Sequence, residues 1–273
     1  MLAKLELAKS TYYYHASRPR TDRWENVRPL IHEAFDRTHN GMGYRQVALV
    51  LRNEHGLLVS GKTVLKLMRE EGLFTSIRVK RYVSYRGEVG TVAPNIVDRD
   101  FKAIRPTEKL TTDITEFRVS GERVYLSPLL DLFNNEVVSW SVSRAQNLRA
   151  VKEMLEGAEE ILRGQSALIH SDQGWQYQHR SYQDILEDLG ATQSMSRKGN
   201  CLDNAPMESF FGHLKQEFYR KHRFESYEEF VVAINAYIDY WNTRRYQTRL
   251  KGMSPVEYRA HSESAARELL LTV

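Results

Sequence analysis

Between Trp24 and Leu73 apolar residues recur three times at helical spacing, and beyond Lys109 they recur as short alternating or continuous runs. The chain therefore reads as a helical front followed by an α/β back. The first helix, within Trp24 to His39, sets Val27, Leu30, Ile31, Ala34 and Phe35 on one stripe. A second runs from about Tyr44 to Glu54 with Val47 and Leu51 inward, and Gly56 ends it. Ser60 caps a third, in which Val64, Leu67 and Met68 face inward and Gly72 is the stop. Two short helices about the turn from Gly56 to Val59 make a helix-turn-helix, with Gly61 to Glu71 as the helix offered to a major groove. Its outward Lys62, Thr63, Lys66 and Arg69 suit phosphate and base-edge contacts, although a plain helical hairpin carries the same pattern.

Residues 75–100 read as a basic linker. Arg78, Lys80, Arg81 and Arg86 interleave there with Tyr82 and Tyr85, and Gly87, Gly90 and Pro94 interrupt regular structure. Then Leu110 to Val119, Val124 to Leu132 and Val137 to Val142 predict an antiparallel meander with turns at Ser120, Gly121 and at Asn134, Asn135. A helix near Leu148 to Leu162, a buried strand Ala167 to His170, a helix Tyr182 to Leu189 and a strand Thr192 to Met195 follow. That order belongs to an α/β layer with a mixed sheet. Amphipathic helices over Asp203 to Tyr219 and Tyr227 to Trp241 precede a polar, Arg-rich tail.

Charge sharpens this division. Of the 39 Lys and Arg and 35 Asp and Glu, residues 1–100 hold 17 basic against 11 acidic, so the front is basic and the back slightly acidic. A front that meets a polyanion and a back that gathers carboxylates for metal fit that asymmetry, as does a merely solvated basic surface. Cys201 is the only cysteine, which leaves no disulfide framework and no cysteine cluster for zinc. No stretch has the ~18 to 20 uninterrupted apolar residues of a membrane span, and the start lacks an apolar signal core. The expectation is a soluble protein of the reducing cytosol with no membrane contact.

Three acids stand out. Asp113 falls in a predicted strand, in TTDITEF, where an aspartate is unfavourable unless its charge is used. Asp172 lies just past the buried strand, in HSDQGWQY, where open α/β sheets place ligands. Glu208 belongs to the helix that begins near Asp203. Singly each has a plain explanation, a turn cap for Asp172 or a solvated helix position for Glu208. Together, from three elements, they make an oxygen cage of the kind that holds two hard cations ~3.5 to 4 Å apart for phosphoryl transfer. Glu116, three positions along the strand, is expected on the other face.

Asp113 and Asp172 are separated by 58 residues, and Asp172 and Glu208 by 35. This spacing resembles the Asp, Asp, thirty-five, Glu signature of retroviral-integrase-like transposases. TTDITEF, LSPLLDLFNNEVVSWS, HSDQGWQYQH, QSMSRKGNCLDNAPMESFFGHLKQEF and YWNTRRYQTRLKGMSPVEYR resemble the second-frame protein (OrfB) of two-frame bacterial insertion sequences, from about Tyr12 to Arg259. GYRQVALVLRNEHGLLVSGKTVLKLMREEGL resembles that family's helix-turn-helix.

The resemblance implies an RNase H-like integrase core, a mixed five-stranded sheet flanked by helices, over residues 101–260. Before it come a segment 1–23, a helix-turn-helix domain 24–74 and the linker 75–100, and after it a tail 261–273. It implies that Asp113, Asp172 and Glu208 hold two Mg²⁺ or Mn²⁺ ions and that Lys215, two turns beyond Glu208, grips the element's end. It further implies double-stranded DNA as partner and substrate, a homo-oligomer on DNA, a frameshift fusion to the upstream-frame protein, and strand joining through a circular intermediate. A non-catalytic helix-turn-helix regulator of the element is the alternative, and it leaves the spacing of the acids unexplained.

The neighbours admit two readings. Ser171, Gln173, Gly174, Asn200, Asp203 and Asn204 suit shaping of the site or phosphate binding, while capping explains Asp203 and Asn204 equally. His170 reads as packing more than as a donor to DNA. Met207, Phe210, Phe211, Leu214 and Phe218 read as core contacts fixing Glu208's helix. Trp241, Arg244, Arg245 and Arg249 suit either DNA or surface pairing.

Overall fold

The computed structural model describes residues 13, 22–38, 41–75, 90–197, 201–220 and 222–271. The linker side chains Arg78 to Gly87 and the site neighbour Asn200 lie outside these residues. Pro29 sets the start of the first helix: it has no N–H to donate and so belongs to a first turn. Helix α1 accordingly spans Arg28–Asp36, and the residues from Trp24 form turns. Helices α2 (Tyr44–His55) and α3 (Gly61–Glu70) follow, and the Ser60 hydroxyl accepts the Thr63 N–H at 3.2 Å as the cap of α3. Ile31, Ala34, Val47, Leu51, Val64, Leu67 and Met68 close a small core of their own.

The second unit is a mixed sheet. Strands β1 (Lys109–Thr112) and β2 (Thr115–Val119) both pair antiparallel with the same edge of β3 (Glu122–Asp131) and in one register. They are one strand, interrupted at Asp113 and Ile114. Extending the register puts Pro128 of β3 opposite Asp113. Pro128 has no N–H, yet the ladder to β4 (Val137–Ser143) runs through it without a break, so the missing donor falls on the Asp113 side. On its other edge β1 pairs parallel with β5 (Leu168–Ser171), which pairs parallel with β6 (Thr192–Met195). The six segments thus occupy the five places expected of the sheet. Residues 90–97 cover the β6 edge, where Ile96 and Val97 donate to Ser194 Oγ and Met195 donates to the Pro94 carbonyl.

Helices cover both faces. On one lie α4 (Leu148–Gly157), α5 (Glu159–Leu162), α6 (Trp175–Gln178) and α7 (Arg180–Asp188), packed on Leu110, Leu129 and Ile169. The sequence predicts one helix from Leu148 to Leu162. It breaks after Gly157, where the backbone approaches β4 so closely that a Cβ would lie 2.6 Å from Ser139 Oγ. On the other face lie α8 (Ala205–Leu214), continued by a π-turn Lys215–Tyr219, and α9 (Tyr227–Thr243). Met207, Phe210, Phe211, Leu214 and Phe218 are buried there against Phe117, Val124 and Leu126. Burial of each of these large side chains contributes roughly 1.5 to 3 kcal/mol. Residues read as a polar tail form α10 (Pro255–Leu271), whose start is fixed by Ser254 and Glu257 capping one another. Among the described residues no helix is long and apolar enough to cross a membrane.

Candidate active site

Strand alternation decides which way each acid faces. Leu110 and Thr112 turn toward α6 and α7, while Thr111, Phe117 and Val119 turn toward α8, so Asp113 shares the α8 face. The parallel register pairs Lys109 with Leu168 and Thr111 with His170. Carried two residues further, it sets Asp113 beside Asp172, just past the ends of neighbouring strands that are ~4.8 Å apart. The 58 residues between these aspartates are what that register requires.

The third acid arrives by helix. Thr111 Oγ1 donates to Asn204 Oδ1 at 2.6 Å, which pins the start of α8 over β1, and the Lys215 ammonium lies 5.5 Å from the Phe117 ring centroid. The helix therefore runs along the strand. Four helical residues rise ~6 Å and two strand residues ~7 Å, so Glu208 comes over Asp113. The helix begins at Ala205 rather than near Asp203, because Cys201–Asn204 wind as a 3-10 turn, and Glu208 sits in the first helical turn.

Burial pushes the Asp113 carboxyl well above the usual range, the charges of Asp172 and Glu208 push it further, and the Ile114 N–H and Lys215 pull back. Burial likewise raises Asp172 against the Gly174 N–H, which donates to Asp172 Oδ1 at 2.8 Å. Two carboxylates in one partly dry place resist double ionisation, and a hard divalent cation relieves them through oxygen ligands alone. The donor set thus fits Mg²⁺ or Mn²⁺. Among the described residues no three of His, Cys, Asp and Glu converge closely enough to ligate one ion together. Glu116, as expected, faces away, beside Arg123 and Tyr125.

Around the acids the sequence neighbours divide by task. Asp203 is not a cap: it is buried and receives Arg197 Nε at 2.8 Å, Arg99 Nε at 2.8 Å and Asn95 Nδ2 at 3.2 Å, and Arg197, with Arg99 behind it, holds its carboxyl far below the usual range. His170 is fully buried with its ring nitrogens on the Ser194 and Ser196 hydroxyls, and burial lowers its pKa, so it packs as a neutral imidazole. Asn204 occupies the cap position of α8, but its side chain goes to Thr111, and its buried Nδ2 has no partner among the described residues. The sequence carried a signal for this contact: Thr111 is two residues before Asp113, and Asn204 four before Glu208.

Gly174 is required for space, its φ of −59° being open to any residue. A Cβ there would lie 2.9 Å from Asp172 Oδ1 and 2.9 Å from Gln176 Oε1. Gly174→Ala should therefore leave stability within ~1 kcal/mol of wild type while displacing the Asp172 carboxylate. A misplacement of this kind lowers turnover by up to ~100-fold. Urea melts beside assays of the activity proposed for this site check it, and unchanged turnover would refute the steric account.

Lys62, Lys66 and Arg69 are exposed on one side of α3, with Lys66 3.7 Å from Glu70, while the Thr63 hydroxyl is engaged with Ser60. At the other end of the chain the residues left between DNA and surface pairing divide, Trp241 and Arg245 being buried and Arg244 and Arg249 exposed. Trp241 is buried and donates to the Asn135 carbonyl at 2.8 Å, Arg249 donates to Asn135 Oδ1 and the Leu132 carbonyl, and Arg245 is buried on Glu217. Arg244 stays at the surface with Asp239.

Comparison with known proteins agrees with this architecture. Models described as integrase core domain match residues 103–201 and 208–262, and one described as HTH-like domain matches 22–82. The chain is 48% identical over 263 residues to the putative transposase InsK for insertion sequence element IS150 of Escherichia coli K12, covering 95% of this chain and 92% of that one. It is 38% identical to the probable transposase for IS1353 of Shigella flexneri, where the match takes in 95% of this chain but 51% of that protein. The simian T-cell lymphotropic virus intasome, solved by cryoEM with PP2A regulatory subunit B56 gamma, shares the fold at a TM-score of 0.50 and 16% identity, over 85% of this chain and 74% of that chain. The chain therefore belongs to the integrase-core transposases of bacterial insertion sequences, the family of the IS150 and IS3 transposases.

Proposed function

We propose that Asp113, Asp172 and Glu208 are the catalytic carboxylates of a transposase that cleaves and joins DNA strands at the ends of its insertion sequence. The adjacency of Asp113 and Asp172, imposed by the β1 to β5 register, carries the reading. Asp113 and Asp172 would hold one Mg²⁺ or Mn²⁺ and Asp113 with Glu208 a second. Ions so held supply Lewis acidity to the attacking oxygen and offset charge on the leaving 3′ oxygen. This division asks no three side chains to share one ion.

The protein's own groups do the positioning. Lys215, on the α8 side of the sheet, carries a cation toward the phosphates of the element end. Asn204, with Oδ1 held by Thr111, fixes the start of α8 over β1 and so sets Glu208 against Asp113. In the first step water forms a bond to phosphorus at the element end and the 3′ oxygen leaves as a hydroxyl. In the second that hydroxyl attacks another phosphodiester in line and releases a new 3′ hydroxyl, so no covalent protein intermediate is needed. Joining the two ends first gives the circular intermediate, which later integrates.

Terminal-repeat recognition is assigned to a multimer of the frameshift fusion with the upstream-frame protein. The IS1353 relative, about half of which lies beyond the match, supports that longer form. A gel shift comparing the two forms tests it, and tight specific binding by this chain alone would refute it. Within this chain α3 meets the duplex through Lys62, Thr63, Lys66 and Arg69. Lys62→Ala with Lys66→Ala should weaken binding to any duplex and lower the slope of log affinity against log salt by about 2. An unchanged slope would take α3 off the DNA. The catalytic reading itself is tested by Mg²⁺-dependent cleavage of element ends and by strand transfer from pre-cleaved ends, with each acid replaced singly. Cleavage without transfer would make the protein a nuclease, and neither activity would leave only the regulator.

A further inference from the structure

The turn that follows Lys215 looks the other way. Two residues apart on a helix project to opposite sides, so Glu217 leaves the sheet face that Lys215 occupies and enters a nearly dry junction with α9. Its side chain is 11% exposed and that of its partner Arg245 is 6%. Arg245 donates to Glu217 from Nε at 2.9 Å and from Nη2 at 2.6 Å, lies 4.5 Å over the Trp241 ring, and shares Glu217 with the Tyr237 hydroxyl at 3.0 Å. The same guanidinium also meets the helix-turn-helix unit. With its amide turned oxygen-inward, Gln46 of α2 sits over the face of the same guanidinium, its oxygen 3.0 to 3.1 Å from all three nitrogens.

Other contacts seat the two units around this point. Asn53 of α2 donates to the Gly252 carbonyl at 2.6 Å, and Tyr240 and Tyr246 pack against the core beneath α2 and α3. One buried cation therefore has the helix bearing Glu208 and Lys215 on one side and the unit bearing α3 on the other. A bidentate guanidinium fixes orientation as well as distance, which a lysine ammonium does not.

We propose that Arg245 is a positioning residue that registers the helix-turn-helix unit against the catalytic helix through Gln46 and Glu217, so that an element end held by α3 is delivered in line with the carboxylates. The inference rests on the proposed catalytic and DNA-binding roles of those elements. It predicts that the two units act as one ruler on a long duplex.

The test uses the full chain and pre-cleaved duplexes copied from the DNA flanking the reading frame, in two lengths: one spanning both units, one reaching the core alone. Wild type should transfer the long duplex with the lower KM. Gln46→Met, which removes the oxygen at similar size, and Arg245→Lys should raise KM several-fold on the long duplex, with kcat and the short-duplex rate near wild type. Gln46→Glu, which keeps the oxygen, should preserve the advantage. If the variants retain the wild-type preference for length, or if both duplexes suffer equally, Arg245 serves the fold alone and the inference fails. Loss of the catalytic reading would show separately, as Asp172→Asn activity on the short duplex.

Discussion

Asp172→Asn should leave the protein folded and DNA-bound and lower both cleavage and strand transfer by at least about a thousandfold, which corresponds to ~4 kcal/mol of transition-state stabilisation. The substitution keeps the size of the side chain and its acceptor for the Gly174 N–H, so no packing loss competes with the effect. What disappears is the second negative charge beside Asp113. Gel shifts and strand-transfer assays on the same preparation separate the outcomes, and near-normal turnover would end the case for this pair.

The same variant tests the electrostatics independently of turnover. Because the Asp113 carboxyl is pushed up on folding, it contributes stability below the ordinary carboxylate range, and this is lost as pH rises through its elevated folded pKa. Metal-free wild type is thus penalised at neutral pH by its own site. Asp172→Asn removes a neighbouring charge and should melt higher than wild type without metal. Mg²⁺ should stabilise wild type in proportion to its occupancy of the folded state and stabilise the variant much less. A metal-free variant that melts no higher than wild type would mean that the two carboxyls do not repel one another.

Much of this site was legible because its parts obey local rules. The strand over Leu110 to Val119, the buried strand before Asp172 and the helix carrying Glu208 follow from periodicity, and the 58-residue separation of the aspartates acquires its meaning from one parallel register. Interruptions were harder to see. Pro128 breaks its neighbour's ladder, not its own strand, and the helix breaks after Gly157, whose missing Cβ makes room for a serine eighteen residues away in the chain. Sequence left Arg245 between DNA contact and surface pairing, and its buried pairing with Glu217 was closed to it for a related reason. An arginine near a helix end has the same local signature whether its carboxylate partner comes from a distant helix or a phosphate from DNA. Asp203 shows the converse, since site-shaping and capping were equally open to local reading and its carboxylate is instead held by two arginines from different segments.

Glu217→Ala should cost about 3 to 5 kcal/mol of stability, the second large effect expected of a single change, because it strands Arg245 in a site that is 6% exposed. Burial alone would raise the Glu217 carboxyl, but Arg245 overrides it and holds it down to about 2. A lowered carboxylate contributes stability above its ordinary pKa and loses it as pH falls toward the folded value. Wild type should therefore lose this contribution between pH ~4.5 and ~2, and Glu217→Ala should have a flatter acid limb. Replacing both partners, Glu217→Leu with Arg245→Met, removes the stranded charge and should recover most of the stability while the preference for long duplexes stays lost. Urea melts against pH decide between a pair that holds the fold and one that mainly sets direction. A loss below ~1 kcal/mol in Glu217→Ala would mean that water reaches Arg245 and screens the pair as at a surface.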